Sequence, residues 1–126
     1  MAPQLLENQM KQSRFIEQVM VVGEGEKMPA ALIQPNFEFL FEWAKRHNIE
    51  LENHEKAVEN TQVIERFKQE VAEANEQLAK WEKVKQFRLT ADLWSVDDGH
   101  LTPTMKLRRK AIKEKYISLY NDIYGH

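Results

Sequence analysis

Apolar and polar residues alternate with a helical period over one long stretch in the middle of the chain. Apolar side chains recur there every three or four residues, at Ile64, Phe67, Val71, Ala74, Leu78 and Trp81. This spacing predicts a long amphipathic helix over about 61–82, and the polar stretch 49–60 before it is predicted to be a connector with one helical turn. A seam shorter than about three heptads is more typical of packing within a domain than of a coiled coil. A helical adaptor that dimerises through this seam remains an alternative.

Three shorter helices are predicted from caps and periodicity. Pro3 suits the first turn of a helix over about 3–13, because the missing N–H is not needed there. Asn36 has the side chain of a helix cap and predicts a helix over about 37–48. A last helix is predicted over about 109–124. The residues expected to face inward are Leu6 and Met10 in the first helix, Phe37, Leu40, Phe41 and Ala44 in the second, and Ile112, Tyr116, Leu119 and Ile123 in the last.

Strands are predicted on both sides of the central helical region. The stretch 15–22 is rich in β-branched and apolar residues, and the glycine-containing turn 23–26 joins it to a partner strand over 28–34. A further strand is predicted over 86–90, followed by a second extended piece around 92–96. The whole pattern predicts an α+β domain, with a small antiparallel sheet and flanking helices.

Composition narrows the classes of function that remain. The chain has 126 residues, 42% of them hydrophobic, and no cysteine. These values are typical of one globular domain, and they exclude disulfides, thiolate catalysis and cysteine-ligated zinc. No apolar run reaches the roughly 18 residues that a membrane span needs. The four histidines are scattered without metal-ligand spacing, so no metal site is predicted.

A segment near the C-terminal end combines a turn, a lysine and the start of a basic helix. It occupies 101–110 with the sequence LTPTMKLRRK. Pro103 fixes its own φ and biases Thr102 toward extended backbone, so helix is not expected before about Met105. Lys106 is therefore predicted to lie on a loop, from which its ammonium can reach a neighbouring site. A lone lysine is ordinarily a solvated surface charge, so the surrounding string decides how it is interpreted.

That string resembles the C-terminal lysine motif of AMP-forming long-chain fatty-acid–CoA ligases, which belong to the adenylate-forming superfamily. The stretch 2–7, with the sequence APQLLE, resembles the tail of the hinge motif that opens the small domain of this family. The stretch 15–23 is similar to the first strand of that domain. The three matches fall in family order and span nearly the whole chain. Residues 1–126 are therefore expected to be one mobile, lysine-bearing C-terminal domain, without the N-terminal adenylation domain.

The resemblance implies a two-step reaction in which ATP activates a long-chain fatty acid as acyl-adenylate and coenzyme A then takes the acyl group. It assigns Lys106 as the catalytic residue and as the residue that binds the phosphate of ATP or adenylate. Magnesium ligands are expected in the missing adenylation domain, which is the implied partner of this one, and the fragment alone is expected to be inactive. The lack of cysteine is compatible with the cytoplasmic location that is expected, and the composition predicts no nucleic-acid partner and no transmembrane segment. Peripheral membrane contact by the full-length enzyme is left open.

Two further features of the C-terminal third bear on function. The basic stretch 106–115 leaves a phosphate- or nucleic-acid-binding module as an alternative, although a pI near 6.1 argues against a nucleic-acid partner. His100 stands where related sequences often have an acidic residue, in a turn that is expected to be exposed. Asp97 and Asp98 are adjacent in the same turn and are interpreted as turn-forming residues rather than an acid–base pair.

Overall fold

The computed structural model describes residues 3–79 and 83–126, which form six helices and a three-stranded sheet. The elements in chain order are α1 (Pro3–Met10), β1 (Ile16–Val22), β2 (Ala30–Pro35), α2 (Phe37–Arg46), α3 (His54–Glu59), α4 (Thr61–Asn75), β3 (Gln86–Leu89), α5 (Arg109–Lys115) and α6 (Ile117–Tyr124). The predicted α+β class is confirmed. Among the described residues, no helix is both long enough and apolar enough to cross a bilayer.

The sheet has the order β1-β2-β3, so β2 is its central strand. The β1–β2 pair is antiparallel, as expected for a hairpin, whereas β3 runs parallel to β2. The prediction of a purely antiparallel sheet is therefore wrong for β3. The chain crosses from β2 to β3 through helices α2, α3 and α4, and a crossover of that length is what a parallel pair requires. Every residue of β2 is buried, because both faces of the sheet are covered.

One face of the sheet packs against α1, α2 and α4. Val19 and Val21 of β1 and Ala31 and Ile33 of β2 point to this side, with the alternation expected of strands. The helices contribute side chains that are almost entirely apolar, namely Leu6, Met10, Phe37, Leu40, Val63, Phe67, Val71 and Ala74. Asn36 accepts a hydrogen bond from the backbone N–H of Phe39, which confirms the predicted cap of α2.

The opposite face packs against α5 and α6. The alternate residues of the two strands, Met20, Val22, Ala30 and Leu32, point to it. Their partners are Trp94, Ile112, Tyr116, Tyr120 and Ile123. This cluster is rich in aromatic residues with polar atoms, and we call it the tyrosine face.

Some predictions from the middle and late parts of the chain differ from the structure. Helix α4 ends at Asn75 rather than near residue 82, and residues 80–82, including Trp81, lie outside the described part of the chain. Val63 rather than Ile64 faces the core. Phe67, Val71 and Ala74 of the predicted seam are buried within this domain, so they are not free to pair with a second chain. The segment 92–96 has no strand pairing.

The predicted last helix is divided at Tyr116, where the backbone leaves helical geometry with φ −106° and ψ 29°. Two helices, α5 and α6, therefore replace one. The side chain of Tyr116 is buried in the tyrosine face, and its hydroxyl donates to Asp92 and accepts from the Trp94 indole. The prediction that Ile112, Tyr116 and Ile123 face inward is confirmed.

Candidate active site

Lys106 follows the tip of a short hairpin over residues 101–107, which precedes α5 and which we call the Lys106 hairpin. The N–H of Met105 donates to the carbonyl of Thr102, which closes a tight turn with Pro103 in its second position. The N–H of Thr102 in turn donates to the carbonyl of Lys106 at 2.8 Å. Met105 has a positive φ of 67°, as the last residue of a three-residue hairpin connection commonly does. The lysine therefore lies on irregular backbone of defined shape, as the proline and threonines predict.

The side chain of Lys106 is exposed, whereas its neighbour Leu107 packs partly into the tyrosine face. The backbone N–H of Lys106 is held by the hydroxyl of Thr102 at 3.1 Å. Within residues 3–79 and 83–126 the Lys106 ammonium makes no hydrogen bond or ion pair. The structure thus leaves this cation available to another molecule or domain, while its backbone is fixed.

A pocket of about 300 Å³ lies between the hairpin and helix α1. Met105, Lys106 and Leu107 form one side of it. The remaining residues that line it are Gln4, Glu7, Asn8, Lys11, Gln18, Val19 and Arg109. A pocket with two exposed lysines and several amides suits an anionic group more than an apolar one.

Glu7 and Arg109 form the main polar contact beneath this pocket. Both carboxylate oxygens of Glu7 accept from the Arg109 guanidinium at 2.6 Å, in a bidentate arrangement. Glu7 Oε2 also accepts from the backbone N–H of Val21 at 2.7 Å, on the edge strand β1. These hydrogen bonds and the charge of Glu7 raise the pKa of the Arg109 guanidinium above its ordinary value, against the opposing effect of burial.

This pair was not predicted from the sequence, because the two residues are 102 positions apart. One signal was present. Glu7 lies beside Leu6 and three residues before Met10, which places an acidic residue on the buried stripe of α1. A carboxylate at such a position requires a partner, although the sequence does not say which one.

His100 lies at the other end of the hairpin and is 1% exposed, so the prediction of an exposed turn is wrong. Its Nδ1 accepts from the Ser95 backbone N–H at 3.1 Å, and the Lys115 ammonium lies 2.7 Å from its Nε2. Burial lowers the pKa of the imidazole, and the positive charge of Lys115 lowers it further. A neutral ring therefore fills this position, packed against Trp94 and Tyr116.

A network of hydroxyl and carboxylate groups surrounds this histidine. The Tyr116 hydroxyl donates to Asp92 at 2.7 Å and accepts from the Trp94 indole N–H at 3.1 Å. Burial raises the pKa of Tyr116 to about 12. The hydrogen bond from Tyr116 is the main reason that the pKa of Asp92 is lowered, with the charge of Lys115 a smaller cause. The network fixes the segment that leads into the hairpin.

Several residues of the basic stretch 106–115 have partners inside the domain. Arg109 binds Glu7, Lys115 contacts His100, and the Lys113 ammonium lies 4.3 Å from the centre of the Tyr120 ring. These contacts leave a less continuous basic surface than the sequence suggested. Among the residues that the structure describes, no group of three or more histidine or acidic side chains is arranged to hold a metal ion.

The chain is similar in sequence to a known family of domains and to parts of longer enzymes. The sequence profile described as "AMP-binding enzyme C-terminal domain" matches residues 1–126. The chain is 31% identical to long-chain-fatty-acid–CoA ligase 1 of Homo sapiens over 127 residues, covering 98% of this chain and 18% of that protein. It is 30% identical to long-chain-fatty-acid–CoA ligase FadD15 of Mycobacterium tuberculosis over 125 residues, covering 98% of this chain and 21% of that protein. The chain thus spans about a fifth of the length of these relatives.

Solved structures with the same fold come from adenylation domains. The adenylation domain of a carboxylate reductase from Mycobacterium chelonae superimposes with a TM-score of 0.78 and 19% identity, covering 100% of this chain and 18% of that one. The adenylation and carrier-protein didomain of a carboxylic acid reductase from Segniliparus rugosus, solved with AMP, superimposes with a TM-score of 0.76 and 18% identity. This match covers 98% of this chain and 16% of that one. At these identities the likeness concerns the fold.

Proposed function

Because the chain belongs to the family of AMP-binding enzyme C-terminal domains, we propose that it is the mobile, lysine-bearing domain of an AMP-forming long-chain fatty-acid–CoA ligase. Its partner in this role is an N-terminal adenylation domain of the same protein. The relatives of about 30% identity support a fatty acid as the substrate, since they are named as long-chain ligases. The carboxylate reductases support the broader class, in which a carboxylic acid is activated through an adenylate.

One observation carries the proposal: Lys106 is an exposed cation on a hairpin whose backbone is fixed, and it has no ion-pair partner among the residues that the structure describes. In adenylate formation, an oxygen of the carboxylate attacks the α-phosphorus of ATP, and pyrophosphate leaves with the electron pair of the broken P–O bond. Negative charge accumulates on phosphoryl oxygens during this step. At ~3 Å and an effective dielectric of ~20, an ammonium attracts such a charge by about 5 kcal/mol before desolvation is subtracted. Lys106 suits this role because its charge is mobile and compact.

The remaining groups of the reaction are supplied from elsewhere in the protein. We assign the ligands of Mg²⁺ to the adenylation domain, as the family resemblance implies. The Lys106 ammonium would contact the phosphate of ATP or of the adenylate, and coenzyme A would enter as the thiol substrate of the second step. Alone, this domain is expected to be inactive.

The second half-reaction places different demands on the domain. The thiol sulfur of coenzyme A attacks the acyl carbonyl carbon of the adenylate, the thiol gives up its proton, and AMP leaves. Lys106 is assigned to adenylate formation alone. A rotation of the whole domain about its N-terminal end would then carry the hairpin away and present another face to the adenylation domain.

The test separates the two half-reactions in the full-length protein that carries this domain. We expect Lys106→Ala to reduce adenylate formation from fatty acid and ATP by at least ~100-fold, since an oriented transition-state donor is lost. Thioester formation from supplied acyl-adenylate should be largely retained. Lys110→Ala is the matched control, because this lysine is also exposed and lies four residues further along, on α5. An equal loss in both half-reactions, or an equal effect of the two variants, would contradict the proposal.

A further inference from the structure

The structure connects Lys106 to the start of the chain through a single ion pair. Glu7 is 4% exposed, and its carboxylate accepts hydrogen bonds from Arg109 on α5 and from Val21 on β1. It therefore joins three elements, α1, β1 and α5. From this geometry we infer that Glu7 and Arg109 are positioning residues for Lys106, which set where its ammonium points. The inference rests on the proposed function of Lys106.

The beginning of α5 explains why such a contact is needed. Arg108 occupies the N-cap position, and its side chain makes no capping hydrogen bond. The first turn of α5 also contains no acidic residue that would interact favourably with the helix dipole. With no local cap, the start of α5 is instead tied to α1 by the two parallel hydrogen bonds from Arg109 to Glu7, three residues after Lys106 in the chain.

The opposite strand of the hairpin is held independently of this pair. The N–H of Arg108 donates to the carbonyl of His100 at 2.8 Å, and Leu101 pairs with Leu107 in an isolated antiparallel bridge. These contacts join the two strands of the hairpin at its base, where Leu107 and His100 pack against residues of the tyrosine face. They do not fix the tilt of the hairpin toward α1, because both partners lie on the hairpin or at its base. The Arg109–Glu7 pair supplies that second restraint.

Position matters for a group that acts on a transition state. A displacement of about 1 Å can reduce a rate by about 100-fold, even when the chemical groups are all present. A loosened Arg109 would leave Lys106 charged and exposed but spread over more orientations. The expected signature is therefore a loss of kcat for adenylate formation with little change in the KM for ATP.

Arg109→Lys is the most informative variant. It keeps a positive charge opposite Glu7 but cannot form two parallel hydrogen bonds, so the restraint weakens while the charge balance is preserved. Arg108→Lys is its matched control, because Arg108 is exposed, adjacent in sequence and free of side-chain capping contacts. Glu7→Gln is a second variant, which keeps an oxygen that can accept from Val21. If Glu7→Gln does not fold, Arg109→Lys still decides the question.

In the full-length protein we expect Arg109→Lys to lower kcat for adenylate formation about tenfold, with KM for ATP changing less than about twofold. Thioester formation from supplied acyl-adenylate should stay near the wild-type rate. Arg108→Lys should leave both half-reactions unchanged. In a Lys106→Ala background, Arg109→Lys should have no further effect, because a residue that acts only through the lysine has nothing left to position.

Amide hydrogen exchange of the full-length protein gives a readout apart from activity. Peptides that cover 101–108 should exchange faster in Arg109→Lys than in Arg108→Lys, while peptides from β2 should not change. The inference is overturned if Arg109→Lys slows both half-reactions equally, behaves like Arg108→Lys, or keeps its full effect without Lys106. If Lys106→Ala reduces adenylate formation but Arg109→Lys does not, the inference fails and the proposed function survives. If Lys106→Ala itself leaves adenylate formation intact, the proposed function fails, and the inference that rests on it fails too.

Discussion

The two faces of the sheet are built from different chemistry. The face toward α1, α2 and α4 is filled by aliphatic and phenylalanine side chains, among them Phe15, Phe37 and Phe67. The tyrosine face is filled by side chains whose rings carry hydroxyl or indole groups, among them Trp94, Tyr116 and Tyr120. The strands β1 and β2 contribute similar small and branched residues to both. The difference therefore lies in what the helices and loops bring.

This difference divides two tasks between the faces. An apolar core stabilises the fold but imposes little directional preference, since dispersion and the hydrophobic effect are not directional. Hydrogen bonds are directional, and on the tyrosine face they reach Asp92, Ser95 and Glu26, all in loops. We therefore expect the apolar face to contribute mainly to stability, and the hydrogen bonds of the tyrosine face to order the loops, including the base of the Lys106 hairpin.

The largest effect is expected from Phe67→Ala on the apolar face. Phe67 is 0% exposed and packs edge-on against Phe15, with 5.8 Å between ring centres. Removing a buried phenylalanine ring typically lowers the free energy of unfolding by about 3 to 5 kcal/mol. Leu5→Ala, at a 64% exposed position of α1, is the control and should change it by less than about 0.5 kcal/mol. Denaturant unfolding measures both, and equal losses would contradict the expectation that burial of Phe67 in the apolar face stabilises the fold.

A smaller effect is expected where the hairpin between β1 and β2 meets α6. Gly23 has φ +117°, and a Cβ there would lie 2.5 Å from the Tyr124 hydroxyl and 2.6 Å from the Met28 carbonyl. Gly23→Ala should therefore lower the free energy of unfolding by about 2 to 4 kcal/mol, from backbone strain and overpacking together.

Gly25→Ala separates those two causes. Gly25 also has a positive φ, of 80°, but nothing lies within 4 Å of a Cβ built there. Gly25→Ala should therefore lower the free energy of unfolding only through backbone strain, by about 1 kcal/mol. If the two variants unfold at the same denaturant concentration, contact with Tyr124 does not restrain the hairpin and the tyrosine face is less ordered than the geometry indicates.

The smallest effect is a pH dependence from His100. Its pKa in the folded protein is lowered from 6.5 by burial and by Lys115, with opposing contributions from Asp92 and Asp98. The unfolded chain therefore binds a proton more readily than the folded one. The contribution of the neutral His100 ring to the free energy of unfolding is fully present above about pH 6.5. It is lost as the pH falls through the lowered pKa of the folded protein.

His100→Asn tests this directly, because its side-chain oxygen can accept from Ser95 but cannot take up a proton in this range. Between pH 7 and pH 5 the free energy of unfolding should fall less steeply for the variant than for the wild type. Asp92 and Glu26, whose pKa values are lowered from 3.8 and 4.5, lose their contributions at lower pH in both proteins. Parallel curves would mean that His100 takes up its proton without disturbing the tyrosine face.

Some properties of this protein follow from local sequence. The caps and apolar spacing predicted α1, α2, α4 and the β1–β2 hairpin, because these elements are formed by residues near one another in the chain. Pro103 and its neighbouring threonines likewise predicted a loop at Lys106, since proline restricts the backbone on both sides of it. Exposure of the lysine followed from its polarity and its place beside a turn.

Other properties were decided only by the tertiary structure. Periodicity reports that a residue is buried, but not what it contacts. The parallel pairing of β3, the pairing of Glu7 with Arg109, and the burial of His100 all join segments that are remote in sequence or bring a polar group into the core. Each depends on how the sheet, helices and loops are arranged in space, because a hydrogen bond requires two groups within about 3 Å of each other. The sequence by itself determined which segment displays the lysine, and the packing of distant elements determined how that segment is held.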